Sequence, residues 1–304
     1  MARVVFLGSK ALGLSVLRAV LDAIEWPHQL IGVICPDDSH DGRSELDQFR
    51  ALAAQQGVPL RVIANSLDTQ AAIAECRPDI GLVVGWYQLI KLDQFPAMRF
   101  FGFHASLLPK YRGNTPLVWQ IICGESTIGM SFFEIAGGMD QGGIVTQAQL
   151  PLGADETIAD ALRYIEASCI QMIRSRLLAL LEGTALLAAQ DHAQATYCGL
   201  RIPEDGRIDW RQSARQIHDF IRAQTKPYPG AFTQISDGRR LRTWRSAVDQ
   251  RPYVGVPGAI AERAPGVVVV TCGQGAIRLL DAEIEGVAHQ PVDALLPSLR
   301  LRLA

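Results

Sequence analysis

Two glycine-bearing segments hold the side chains best suited to chemistry. Phe101-Gly-Phe-His-Ala-Ser-Leu-Leu-Pro-Lys-Tyr-Arg-Gly113 places His104 at the end of a strand-like run, followed by a Ser-Leu-Leu-Pro turn and an Arg-Gly. Gly137-Gly-Met-Asp-Gln-Gly-Gly143 surrounds Asp140 with four glycines, so the backbone can approach a flat ligand while presenting one carboxylate. A lone histidine is ordinarily structural, and a lone aspartate in a glycine turn ordinarily caps it. Taken together, and joined to the loop Gly85-Trp-Tyr-Gln88, they point to a site: imidazole exchanges a proton near neutral pH, and a nearby carboxylate favours its charged form. A third glycine pair, Gly8-Ser-Lys-Ala-Leu-Gly13, could cradle a phosphate at a helix start. It lacks the Gly-x-Gly-x-x-Gly spacing and an acid closing the second strand, so a tight strand-to-helix turn is preferred over a Rossmann oxidoreductase.

These loops need a scaffold, and the pattern before them supplies one. Apolar runs at Arg3–Gly8, Leu30–Cys35, Leu60–Ile63 and Ile80–Gly85 alternate with helical spacings over Ala11–Ile24, Ser44–Gln56 and Asp68–Cys76. The alternation predicts an α/β fold, a doubly wound parallel sheet with right-handed crossovers whose carboxyl edge holds ligand sites. Residues 81–85, apolar on both parities, read as a central strand. Met130–Ile135 and Ile144–Leu150 look like added strands, and Thr157–Leu181 is one long helix. Past residue 200 come a helix at Ala214–Ala223, the turn Lys226-Pro-Tyr-Pro-Gly230, and five short strands beginning at Ala231, Arg240, Gly258, Val267 and Ile277. That spacing suggests a small OB-like barrel. The expected division is a catalytic domain over 1–200 and the barrel domain over 201–304.

The chain has 304 residues, 48% apolar and 20% charged, which excludes wholesale disorder and collagen-like repeats. Net charge is −2. Residues 1–199 carry 14 basic and 20 acidic side chains, and residues 200–304 carry 15 and 11. The start Met-Ala-Arg-Val-Val-Phe runs straight into a strand with no cleavable signal, and no apolar run reaches membrane-spanning length. The six cysteines are scattered without a Cys-x-x-Cys pair, so they are expected reduced and no metal site is expected. The expected setting is the cytoplasm.

His104-Ala-Ser-Leu-Leu-Pro-Lys-Tyr-Arg-Gly113, Gly124-Glu125, Gly129 and Met139-Asp-Gln-Gly142 resemble the signature of the formyltransferases that use N10-formyltetrahydrofolate. The resemblance runs on through Ala195-Thr-Tyr197, Arg201-Ile-Pro-Glu-Asp-Gly-Arg-Ile-Asp-Trp210 and Pro227-Tyr-Pro-Gly-Ala-Phe232, and so covers nearly the whole chain. Its spacing is most similar to the formyltransferase domain of the bifunctional enzyme that modifies UDP-linked 4-amino-4-deoxy-arabinose, a group that includes sugar-nucleotide N-formyltransferases. The resemblance implies one-carbon transfer from a folate nitrogen to a primary amine. The chemistry then asks for a held folate, a stabilised oxyanion and a proton relay. His104 and Asp140 are the implied catalytic pair, and Trp86, Tyr87, Gln88, Ala136, Gly137, Gly138, Met139 and Asp140 the implied folate contacts. The family has an asparagine two residues before the histidine, where this chain has Gly102. Loss of one oxyanion donor costs on the order of a hundredfold to a thousandfold in rate. Three accounts stay open: another group such as Asn114, or water, fills the gap; the acceptor differs; or the chain binds folate or substrate without transfer.

The acceptor is a further expectation. Family members that formylate methionyl-tRNA carry a basic insertion after the second strand, whereas Pro36–Asp47 here has five acids and one arginine, which a polyanion would avoid. Arg239-Arg-Leu-Arg-Thr-Trp-Arg245 keeps tRNA in view, although a solvated barrel strand explains that run more simply. A small amine, an amino-sugar on a nucleotide carrier, is preferred; tRNA and membrane partners are not expected, an amino-acid amine stays open, and exposed apolar barrel residues could serve a homodimer.

Overall fold

The structure, a computed structural model, describes residues Met1–Ala304. β1 (Arg3–Gly8), α1 (Lys10–Ala23), β2 (Gln29–Pro36), α2 (Leu46–Gln55), β3 (Leu60–Ile63), α3 (Ser66–Cys76), β4 (Ile80–Val84) and β5 (Arg99–His104) alternate as the apolar pattern requires. They are followed by β6 (Arg112–Gly113), α4 (Pro116–Ile122), β7 (Thr127–Ile135), β8 (Ile144–Pro151), α5 (Ile158–Leu181) and β9 (Tyr197–Cys198). One seven-stranded sheet runs β3-β2-β1-β4-β5-β7-β8. β1 to β5 pair in parallel, and every residue of β4 is buried between β1 and β5. β7 lies antiparallel to β5, so the sheet is mixed and not parallel throughout. The turn beyond His104 packs on β7 itself: a Cβ on Gly129 of β7 would stand 2.3 Å from the Leu107 nitrogen.

Two helix starts show why the bounds fall where they do. Asn65 caps α3 by accepting from the amides of Leu67 and Asp68. Ser44 donates its hydroxyl to Asp38 Oδ1 at 2.5 Å while its oxygen accepts from the Leu46 amide at 3.3 Å, and α2 begins at Leu46.

The chain divides into two compact units, residues 1–112, 129–149 and 164–197 in one, and 113–128, 150–163 and 198–304 in the other. The second contains α6 (Ala214–Arg222), β10 (Ala231–Gln234), β11 (Arg240–Asp249), β12 (Ile260–Ala264), β13 (Val267–Thr271), β14 (Ala276–Ile284) and α7 (Val292–Leu295). Its five strands form an antiparallel sheet in the order β10-β11-β14-β13-β12, with Leu241, Val268, Val270, Ile277 and Leu279 fully buried inside. Residues 302–304 join the two edges. Gln234 and Ala304 exchange backbone hydrogen bonds at 3.0 and 2.8 Å, and the Leu303 amide donates to Gly258 at 2.9 Å. Gly258 belongs to that closure and not to a strand, because a Cβ there would stand 2.0 Å from the Leu303 carbonyl. No helix is long and apolar enough to cross a membrane. All six cysteines are free.

Candidate active site

His104 ends β5, on the same face of the strand as Gly102 because side chains alternate. Its ring is buried, with Nε2 2.7 Å from the Tyr111 carbonyl oxygen. A carbonyl can only accept, so Nε2 carries the proton and the neutral ring offers Nδ1 as a base. Nδ1 stands 3.6 Å from Asp140 Oδ2, beyond a hydrogen bond but within an ion pair's reach once the ring is charged. Asp140 sits in the loop after β7 at φ 49°, a left-handed conformation that a short polar side chain tolerates. The sequence-derived pair is thus brought together, His104 from the end of β5 and Asp140 from the loop after β7.

The turn between β5 and β6 is held by small polar groups. The Ser106 hydroxyl donates to the Lys110 carbonyl at 2.6 Å. Ser131 on β7 donates to the Ser106 carbonyl at 2.6 Å and accepts from the Leu108 amide and from Gln147 Nε2. On the other side, Gly142 allows the Asp140 loop to close, since a Cβ there would meet the Glu134 carbonyl oxygen at 1.7 Å. Gln190 then bonds the loop: its Nε2 donates to the carbonyls of Asp140 and Gly142 at 2.8 and 2.7 Å. Its Oε1 accepts from Nε and Nη2 of the buried Arg112. Gln190 carried no signal by itself in the sequence; its nearness to the matched Ala195-Thr-Tyr197 was the available hint.

Beside Gly102 the space is filled. A Cβ built there would lie 3.0 Å from both Ile135 Cδ1 and the Val83 carbonyl oxygen. Ile135 occupies the direction in which a side chain at 102 would project.

Ile135 also lines a cleft of about 690 Å³, together with Trp86, Gln88, Lys91 and the segment Ala136–Met139. Six of the expected folate contacts border it: Trp86, Gln88, Ala136, Gly137, Gly138 and Met139. Tyr87 is not among the cleft's lining residues and is exposed; Asp140, also outside the lining, faces His104. The indole Nε1 of Trp86 is buried without a hydrogen-bond partner, and a Cβ at Gly137 would meet nothing within 4 Å. An unanswered donor beside open backbone fits a flat, acceptor-rich heterocycle such as a pterin. The loop carrying Trp86 and Gln88 is anchored to α3, where Thr69 donates to Gln88 Oε1 at 2.7 Å and Gln70 bonds the Leu89 carbonyl and the Lys91 amide.

The first glycine loop is a tight turn, as the preferred reading has it. The Ser9 amide donates to the Val84 carbonyl and its hydroxyl to the Gly85 carbonyl. Lys10 Nζ lies 2.6 Å from Asp38 and 2.8 Å from Asp41, so its charge is already answered. The Asp41 carboxyl is held well below the usual range, chiefly by Arg43 and then by Lys10.

Comparison with known proteins matches residues 2–173 to the formyl transferase family model and residues 202–300 to the formyl transferase C-terminal domain. A methionyl-tRNA formyltransferase of Sorangium cellulosum is 33% identical over 293 residues, 93% of this chain and 92% of that one. Among solved structures, the sugar 3-N-formyltransferase WlaRD, determined with dTDP and 5-N-formyl-THF, aligns with a TM-score of 0.69 at 17% identity over 95% of this chain and 99% of that one. An N-formyltransferase from Helicobacter canadensis, in complex with folinic acid and dTDP-3-aminofucose, aligns with a TM-score of 0.67 at 16% identity, covering 92% and 99%. The structural likenesses speak for the fold; the family match and the full-length sequence relationship establish that this chain is a member of the formyl transferase family.

Proposed function

We propose that the chain transfers a formyl group to a primary amine, with His104 as proton carrier, Asp140 as its charge partner and the cleft beneath Trp86 as the folate site. The family's donor is N10-formyltetrahydrofolate, which supplies an activated formyl group. The observation that carries the reading is the His104–Asp140 pair, whose aspartate directly follows the cleft-lining segment 135–139. Nδ1 takes a proton from the attacking amine, the Asp140 carboxylate stabilises the imidazolium 3.6 Å away, and the same nitrogen returns the proton to the departing folate nitrogen. Trp86 Nε1 and the backbone of Gly137 and Gly138 hold the heterocycle. We take residues 1–200 as the transfer domain and 201–304 as its OB-like companion.

For the acceptor, full-length relatives of about the same size favour the amine of methionyl-tRNA. The preference for a small acceptor over tRNA therefore cannot rest on the acidic loop alone. That loop, acidic and with Lys10 neutralised by Asp38 and Asp41, disfavours an extended polyanion, and so supports as a second reading a smaller acceptor with few phosphates, a nucleotide-linked amino-sugar. The test is release of tetrahydrofolate from N10-formyltetrahydrofolate with methionyl-tRNA or with nucleotide-linked amino-sugars. His104→Ala and Asp140→Asn are expected to lower turnover by about a hundredfold to ten-thousandfold. No release with any amine, or full activity in His104→Ala, would overturn the reading.

A further inference from the structure

The segment Gln190–Tyr197 has no helical or strand periodicity and reads in the sequence as a connector, yet its side chains reach both members of the pair. At the aspartate, Gln190 Nε2 holds the carbonyls of Asp140 and Gly142 at 2.8 and 2.7 Å. At the histidine, the Thr196 hydroxyl accepts from the Tyr111 amide at 2.8 Å, and the Tyr111 carbonyl receives His104 Nε2 at 2.7 Å. Tyr111 has φ 58°, a conformation costing about 1 kcal/mol or more for a bulky residue, so its carbonyl points at the ring only because neighbours hold it there. The Thr196 carbonyl accepts from the Arg112 amide at 2.8 Å and its own amide donates to Pro109 at 3.3 Å. Arg112, buried, ties the two ends together. It donates to Gln190 Oε1, to His192 Nδ1 at 3.0 Å and to the Tyr197 hydroxyl at 3.3 Å.

We propose that Gln190 and Thr196 are positioning residues: one strap, 190–197, sets the Asp140 loop and the Tyr111 carbonyl, and through them the tautomer of His104 and its distance to Asp140. Neither residue borders the cleft, so the proposal rests on the reading of His104 and Asp140 as the working pair while predicting no change in folate binding. Thr196 must supply a hydroxyl acceptor, which serine retains and valine lacks. Gln190 must supply amide donors, which leucine lacks.

The experiment is side-chain ¹⁵N–¹H NMR of the full chain, with His104 assigned by His104→Gln. In the native protein the neutral ring should be the Nε2–H tautomer with a protected Nε2 proton. In Thr196→Val and Gln190→Leu, exchange of that proton should accelerate about five- to tenfold as the hydrogen bond loosens, and the second tautomer should appear. Thr196→Ser should restore the native spectrum. Affinity for 5-formyltetrahydrofolate, read by Trp fluorescence, should stay within about twofold in all three. An unchanged His104 spectrum in folded Thr196→Val and Gln190→Leu, or a failure of Thr196→Ser to restore it, overturns the strap. Should Gln190→Leu fail to fold, Gln190→Glu, which keeps the size but loses the donors, carries the same expectation. Absence of 5-formyltetrahydrofolate binding by the native protein would count against the transfer reading and leave the spectral comparison intact.

Discussion

At the scale of single residues, the departure from the family pattern at position 102 has a partner that the sequence does not announce. Ile135 stands 3.0 Å from where a side chain would begin, so Gly102→Asn alone overpacks that corner. Its cost should be about 1–3 kcal/mol, read as a lower midpoint in denaturant. Trimming with Ile135→Ala in the same chain should recover part of it, because the Val83 carbonyl is fixed in the sheet but the isoleucine is not. If a missing amide limits the rate, the double variant turns over faster than the native protein; if it does not, some other group already serves the oxyanion. His104 and Asp140 were legible because glycine spacing and residue type survive in one dimension. Ile135 was not, since a β-branched residue in an apolar strand looks like core. Nor was Gln190, fifty positions from the carbonyl it holds.

Elements matter here for where they stop. β5 ends at the histidine and β7 at Ile135; the two strands run antiparallel, so these ends lie apart, and the loop after β7 folds back on Glu134, where Gly142 lets backbone approach backbone, to bring Asp140 to His104. Gly142→Ala would force its methyl into the Glu134 carbonyl, 1.7 Å away, and the Asp140 loop would have to shift. We expect the His104–Asp140 contact, and turnover with it, to be lost in that variant while circular dichroism stays near native, since the clash is confined to the end of β7 at Glu134. The strands and helices themselves could be read to within a few residues from hydrophobic period. The antiparallel sense of β7 could not, because it depends on the turn after His104 packing on the strand that follows. The start of α2, two residues beyond Ser44, is set locally: the Ser44 hydroxyl bridges Asp38, six residues back, and the Leu46 amide.

Over the molecule as a whole, some of the basic side chains past residue 200 are paired with nearby acids. Arg239 meets Asp237 and Arg242 meets Glu283, so two of the four arginines in the run Arg239–Arg245 are less available to a polyanion than its sequence suggests. pH acts on stability through His218 of α6. Burial, then Arg215, lowers its pKa from the ordinary value near 6.5. The folded protein prefers the neutral ring, so the stability tied to it is present above about pH 6.5 and is lost as pH falls below that. Urea midpoints should drop between about pH 6.5 and 5, and the drop should be smaller in His218→Asn, which keeps a polar group facing Ser246. The stitch made by residues 302–304 has its own consequence. Three residues shield both rims of the barrel at once, so detaching them would not fray one end but open the cylinder along its seam. The bared amides and carbonyls would then be a template on which a second molecule could dock rim to rim.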